Sequence, residues 1–199
     1  MHTSRNISST DINSISRLVA AYLQENLSPS RYTHTRSVAR CAVELCGRFG
    51  LDESQGNLAG LGHDLAREWR PEHIRETALE DGGGMCAAEQ KEPLLMHGRA
   101  AAVVLQRDFG LYNDEVLAAI RTHTLGAPGM SSLQKVLFCA DYLEPHRRYM
   151  DATLRKRTEG LDVNELVILV VEHNRSRGYE LAEPTRQMYD QVRQEVRGR

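Results

Sequence analysis

His63 and Asp64 are adjacent in the segment Leu61-Gly62-His63-Asp64-Leu65, and such a pair can offer an imidazole nitrogen and a carboxylate oxygen to one metal ion. The pair alone carries little weight, because the chain holds eight histidines and chance pairs are common. Its company carries more: His34, His97, His123 and Asp141 each fall on the inward face of a helical pattern. Hydrolysis of a phosphate ester or phosphoanhydride requires the pKa of water to fall from about 15.7 to about 7, with charge neutralised on the phosphoryl oxygens. One or two divalent ions, about 3.5–4 Å apart when paired, do both. Imidazole and carboxylate ligands suit Fe, Mn, Zn, Ni or Co rather than Ca. Taken singly, a core-facing His34, His97 or His123 is more often a hydrogen-bonded packing residue than a ligand. Two inward carboxylates change that balance, since a buried Asp without a cation is costly.

The elements that must position these residues are helical almost throughout. Ile12, Ile15, Leu18, Val19, Tyr22 and Leu23 share one stripe, which predicts a helix from Asp11 to about Leu27. A second helix is expected from a Ser30 cap to Phe49, stopped by Gly50, with His34, Val38, Ala42, Leu45 and Phe49 inward. Asp52 caps a third, with His63 and Asp64 towards its C-terminal end. Pro71 opens a short helix ending near Leu79. The Gly-rich stretch Asp81-Gly82-Gly83-Gly84 then begins a loop to Pro93; no Lys or Ser/Thr follows in P-loop register, which argues against a phosphate cradle there. His97 belongs to a helix from about Pro93 to Phe109, and His123 to one capped by Asp114. Ser131 and Gln134 form a capping box ahead of the helix carrying Asp141; Asp162 and Glu165 repeat it before Leu166 to Arg177. Pro184 opens a last helix through Val196.

Composition narrows the class. At 199 residues, with 41% hydrophobic and 26% charged residues, the chain fits one globular domain over residues 1–199, its core at about 12–150 and C-terminal helices at about 162–197 packing on it. A net charge of −2 gives no sign of a nucleic-acid or membrane binder. Cys41, Cys46, Cys86 and Cys139 form no Cys-x-x-Cys pair, which points to free thiols in a reducing compartment. No apolar leader region follows Met1, and the run Leu166 to Val171 is too short to span a bilayer. A cytoplasmic protein is expected.

The order His34, His63-Asp64, His97, His123, Asp141 resembles the HD-domain metal-dependent phosphohydrolases. The likeness extends to the YqeK-like subfamily of symmetrical diadenosine-tetraphosphate hydrolases. It is carried by Arg31-Tyr32-Thr33-His34-Thr35, Leu58-Ala59-Gly60-Leu61-Gly62-His63-Asp64-Leu65-Ala66, Leu95-Met96-His97-Gly98 and, most specifically, Ile120-Arg121-Thr122-His123-Thr124-Leu125-Gly126 through Ala140-Asp141-Tyr142-Leu143-Glu144-Pro145. It spans about residues 12–190. The resemblance implies an all-α HD-domain bundle of eight to ten helices with a buried metal site, cleaving diadenosine tetraphosphate to two ADP through a metal-activated water. It implies one or two divalent ions, iron first, with Mn, Zn, Ni or Co as alternatives. His34, His63, Asp64 and Asp141 match the common ligands, with Asp64 bridging and catalytic. His97 and His123 match either second-metal ligands or phosphate-facing residues. The resemblance implies Arg147 as a contact beside phosphate; Arg31 and Arg67, closest in sequence to ligands, and Thr124, a donor to a phosphate oxygen, are further candidate substrate contacts, while Glu144 reads as a supporting or capping residue and Lys135 as an exposed one. Two positions depart from the subfamily: Gly62 replaces a usual Leu, which loosens the helix and opens space, and Arg67 replaces a usual Lys. His2, His73, His146 and His173 have no partner pattern; His146 is placed at the pocket rim. The partner is a nucleotide, not nucleic acid or membrane, and a homodimer is compatible. The alternatives are another HD-domain nucleotide phosphohydrolase, such as a nucleotidase or alarmone hydrolase, and a non-catalytic metal- or nucleotide-binding sensor.

Overall fold

Apolar residues recur every three to four positions with few interruptions, and the chain forms helices accordingly. A computed structural model describes residues 9–198. Their elements are α1 (Ser9–Asn26), α2 (Pro29–Phe49), α3 (Glu53–Gly62), α4 (Pro71–Leu79), α5 (Ala87–Lys91), a 3-10 turn (Pro93–Met96), α6 (His97–Arg107), α7 (Asp114–Thr122), α8 (Ser132–Leu143), α9 (Ala152–Arg157), α10 (Val163–Ser176) and α11 (Glu183–Arg197). No strand occurs among the described residues, and none of these helices is long and apolar enough to cross a membrane.

Most ends fall where cap chemistry puts them. The Asp52 side chain accepts from Ser54 N at 2.8 Å, and Ser131–Gln134 and Asp162–Glu165 form reciprocal boxes. Gly50 closes α2 with φ 68°, a conformation that costs a glycine nothing. Three starts differ from expectation. Ser28 rather than Ser30 caps α2, because Pro29 sits without penalty at the first helical position. Asn113 rather than Asp114 caps α7, its side chain accepting from Val116 N at 3.0 Å. Pro93 opens a 3-10 turn, so α6 begins at His97. The helices α5 and α9, five and six residues long, are too short to show a period in the sequence and raise the described α-helices to eleven.

The architecture centres on α2, α3, α7 and α8, which pack on one another around Val38, Ala42, Leu58, Ile120 and Leu137, all fully buried. Outside them, α1 lies on α3, α4 on α6, α10 on α8 and α11 on α10. Small residues set the closest approach. A Cβ on Gly60 would stand 2.4 Å from Ala39 Cα, and one on Gly56 would stand 2.5 Å from Cys46 Sγ. This brings the end of α3 against α2, which carries His34. Gly62 opens no space, contrary to the expectation: Leu105 Cδ1 and Ile120 Cδ1 already fill it, 2.7 and 3.0 Å from where a Cβ would be.

Gly60→Ala is the direct check on this crossing. Helix propensity alone would stabilise the variant by about 1 kcal/mol. The clash is with backbone atoms that no rotamer change relieves, so a net loss of about 1–3 kcal/mol is expected in chemical denaturation. A stabilised variant would contradict the packing.

Candidate metal centre

The six residues singled out by type and spacing converge, and four of them do so from helix ends. His34 lies on the second turn of α2, and Asp141 near the end of α8. His63 is the cap that ends α3, and His123 the cap that ends α7; His97 is the first residue of α6 after its 3-10 turn. Asp64 follows His63 where the chain continues in tightened turns, with Leu65 N bonded to Gly62 O and Arg67 N to Asp64 O. His63-Asp64 therefore stands just past α3 rather than inside its C-terminal end, as the sequence pattern suggests. Adjacent residues on one α-helix diverge by about 100°, whereas here His63 Nε2 and Asp64 Oδ2 are 3.4 Å apart.

Each ring is held by its Nδ1. His63 Nδ1 lies 2.7 Å from Gly60 O, His97 Nδ1 2.6 Å from Leu94 O, and His123 Nδ1 2.8 Å from Ile120 O. In all three the partner is the carbonyl three residues back. A carbonyl only accepts, so each Nδ1 carries the proton and each neutral ring presents a lone pair at Nε2. His34 Nδ1 faces the buried carboxylate of Glu144 at 3.2 Å, with the same consequence.

The Nε2 atoms then meet in a way that only a cation relieves. His97 Nε2 and His123 Nε2 are 3.0 Å apart. His34 Nε2 stands 3.1 Å from Asp141 Oδ1 and 3.6 Å from Asp64 Oδ2, and His97 Nε2 stands 3.0 Å from Asp64 Oδ1. The Nε2 atoms of His34 and His63 are buried and make no hydrogen bond. Lone pairs facing lone pairs and anionic oxygens in a buried space repel unless a proton or metal lies between them. Two triads, His34–His63–Asp141 and His63–Asp64–His123, each keep their ligand atoms within 4.8 Å. The donor set fits one or two divalent transition ions.

The electrostatics separate the rings. Burial disfavours charge on His34, but the nearby carboxylates of Asp141 and Glu144 outweigh it and raise its pKa, so without a metal this ring favours a proton in the same space. Burial, with the nearby His97 and His63, pushes His123 down to about 3. Burial opposes ionisation of Asp64 and Asp141 too; His63 and His97 hold Asp64 well below the usual range, and His34, His63 and Arg147 hold Asp141 below it. Glu144 is held down at about 2 despite burial, by His34, the His146 N–H and Ser37. Arg31 Nη1 donates to Asp64 Oδ2 at 2.7 Å, and Arg147 pairs with Asp141. Arg31 and Arg147 thus stand on the ligand carboxylates. Arg67 is half-exposed and makes no ion pair or side-chain hydrogen bond among the described residues.

A cleft of about 500 Å³ opens beside the cluster. His123, Thr124 and Asp141 form its floor, and Phe138, Tyr142 and Leu181 contribute walls. Thr124 Oγ1 lies 3.3 Å from His123 Nε2. The start of α11 closes one side, where Thr185 Oγ1 donates to Leu125 O at 2.7 Å. The resemblance places Glu183-Pro184-Thr185 near the nucleotide, and Glu183 and Thr185 do line the cleft; sequence reasoning missed Tyr142 and the stretch from Tyr179 to Ala182, because nothing in a helix period tells which outward residues face a cleft.

Of the remaining histidines, His2 is outside the described residues, His73 and His173 lie apart from the cluster, and His146 reaches it only through Glu144, its Nδ1 3.2 Å from Glu144 Oε2. His73 stacks on Trp69 with centroids 4.5 Å apart, and His173 bonds the Tyr142 hydroxyl at 2.9 Å. His146 lines a different cavity, on the flank of α2 with Ser37 and Cys41, rather than the rim of the cleft. Lys135 is not exposed as expected: its side chain is 12% accessible and pairs with Glu195 at 3.4 Å, because α11 covers that face of α8.

The HD domain family matches residues 31–146 of this chain. The symmetrical bis(5'-nucleosyl)-tetraphosphatase of Bacillus subtilis (strain 168) is 32% identical over 153 residues, covering 77% of this chain and 82% of that protein. The protein of the same name from Halalkalibacterium halodurans is 30% identical over 151 residues, covering 73% and 78%. A crystal structure from Clostridium acetobutylicum, described as a predicted HD superfamily hydrolase involved in NAD metabolism, superposes with a TM-score of 0.80 at 29% identity, covering 90% of this chain and 97% of that one.

The depressed His123 has a measurable consequence in protein stripped of metal. With a folded pKa of about 3 against an ordinary 6.5, the unfolded chain takes up a proton here that the folded chain refuses. Stability supplied by neutral His123 is present above pH 6.5 and is lost as the pH falls towards 3. His34 acts in the opposite sense, so the comparison is between proteins: the melting temperature of metal-free His123→Gln is expected to drop less than that of the parent between pH 7.5 and pH 5. Equal drops would contradict the assignment.

Proposed function

This chain belongs to the HD-domain family, and from that premise we propose that it is a metal-dependent hydrolase that cleaves diadenosine tetraphosphate symmetrically into two ADP. The observation that carries the chemistry is the set of Nε2 lone pairs turned, with two carboxylates, into one buried space. The substrate is taken from the activity named for the Bacillus and Halalkalibacterium relatives.

His34, His63, Asp64 and Asp141 would hold the first ion; His97 and His123 would hold a second or face the phosphates. Iron is the favoured metal. A divalent ion at this site supplies Lewis acidity, acidifying water and neutralising phosphoryl oxygens. Asp64, in contact range of His63, His97 and Arg31, is the residue on which the whole arrangement turns. Arg31 and Arg147, paired with Asp64 and Asp141, keep positive charge beside the metal site, and the Thr124 hydroxyl, which lines the cleft, donates to a phosphoryl oxygen. The scissile bond is at the central bridging oxygen. The leaving group is ADP, whose negative charge Arg147 and Arg31 stabilise, so no separate proton donor is required. The walls Phe138, Tyr142 and Leu181 take up the nucleoside. Four unpaired cysteines, two of them buried, support a reducing compartment and hence the cytoplasm.

Incubation of iron- or manganese-loaded protein with diadenosine tetraphosphate is expected to give ADP as the only product by chromatography. ATP plus AMP would move the scissile bond, and no product from metal-loaded protein would leave the mononucleotide hydrolases and the sensor as the readings. Asp64→Asn is expected to lose both metal retention and turnover; normal turnover in a metal-loaded variant contradicts its role. Glu144→Gln removes the anion behind His34 and is expected to lower metal affinity or activity by about 10–100-fold.

A further inference from the structure

Arg121 is the second-to-last residue of α7, two residues from His123. Its Nε is buried without a hydrogen-bond partner, and its side chain makes no hydrogen bond or ion pair among the described residues. The neighbouring Arg99 is the opposite case. It donates to both oxygens of Asp81 at 2.7 and 2.8 Å, to Gly84 O at 2.8 Å and to Glu89 at 3.3 Å. Asp81 is near enough to Arg121 to feel its charge, but both its carboxylate oxygens are occupied by Arg99. Arg121 thus retains the uncommitted guanidinium donors of this region, and an unpartnered buried donor of this kind is costly without a ligand or water.

Arg121 forms the wall of a cavity of about 310 Å³, together with Asp81, Gly84, Arg99, Gly126 and Pro184. This cavity shares Leu95, Thr124 and Leu125 with the cleft that holds His123 and Asp141. The two spaces therefore adjoin along one ridge, and Thr124 on that ridge is 3.3 Å from His123 Nε2. A substrate cut at its midpoint has two equal halves, and it needs a nucleotide site on each side of the reacting centre. One cleft beside the cluster accounts for only one half.

We propose that the cavity between the Asp81–Gly84 loop, α7 and the start of α11 binds the second nucleoside diphosphate half, with Arg121 pairing with its phosphate. This rests on the symmetrical dinucleotide reading above, and adds to it the location of the second half and the residue that holds it. Arg121 is a binding residue for the phosphate next to the ribose, not for the one that reacts. Its guanidinium contacts substrate and transition state alike, so its loss raises KM and leaves kcat in place.

The test combines binding and kinetics on the metal-loaded protein. Calorimetric titration with ADP is expected to give two equivalents bound per chain, falling to one in Arg121→Gln, with the remaining site unchanged in affinity. KM for diadenosine tetraphosphate is expected to rise about 10–100-fold in that variant with kcat within about threefold, the range set by one charge-assisted pair. Gly84→Phe is the second variant. Gly84 lines the cavity and a Cβ there meets nothing within 4 Å, so a ring is added at the cavity's edge without a clash with the core, and it should also remove the second ADP. One equivalent of ADP in the parent, or two retained by either folded variant, overturns the proposal. A parent that binds two ADP, loses one on substitution, yet makes no ADP from diadenosine tetraphosphate, would keep the subsite and refute the proposed reaction.

Discussion

The site depends on one repeated interaction, a histidine Nδ1–H given to the carbonyl three residues back. It occurs at His63, His97 and His123, each where a helix begins or ends. At the C-terminal ends of α3 and α7 the carbonyls of Gly60 and Ile120 lack the usual helical partner, so the rings of His63 and His123 satisfy groups that would otherwise stay unpaired; the Leu94 carbonyl also takes the His97 backbone N–H. The same bond fixes the tautomer, and with it the direction of the Nε2 lone pair. Fixing a ring at a helix boundary and turning its Nε2 lone pair into the cluster are here a single act. The tight contact of α3 on α2 at Gly60 and Ala39 adds His34 to the group, and Glu144 does for His34 what the carbonyls do for the other three.

This bond also explains why the charges balance as they do. Asp64, Asp141 and Glu144 bring three negative charges to a space where Arg31 and Arg147 bring two positive ones. With neutral histidines the excess is negative and favours a cation. A divalent ion reverses the sign, so the same pocket then attracts a polyphosphate. The arginines standing on the ligand carboxylates keep those carboxylates ionised, as ligands must be.

The helices that carry the site were legible because each has a long apolar stripe and a cap with a clear mechanism, as at Ser131–Gln134 and Asp162–Glu165. The convergence of His34, His63, Asp64, His97, His123 and Asp141 was legible from residue type and inward placement. What escaped was local. Nothing in a 3.6-residue period says that α3 stops one residue before His63, or that Pro93 starts a 3-10 turn. The helices α5 and α9 have too few residues to show a stripe. Lys135 reads as exposed because α11 covers it from 60 positions away. Gly62 reads as a gap because the residues that fill it, Leu105 and Ile120, come from two other helices. Tertiary neighbours decide each of these, and a single helix's pattern holds no record of them.

The central claim is that the lone pairs at Nε2, fixed by bonds at Nδ1, hold the metal. Anomalous diffraction from a crystal of the manganese-loaded protein tests it most directly. The account predicts a peak within coordination distance of Nε2 of His34 and His63 and of carboxylate oxygens of Asp64 and Asp141, with the Nδ1 bonds to Gly60, Leu94 and Ile120 intact. Manganese bound through an Nδ1 atom, or bound elsewhere with this cluster empty, would contradict it.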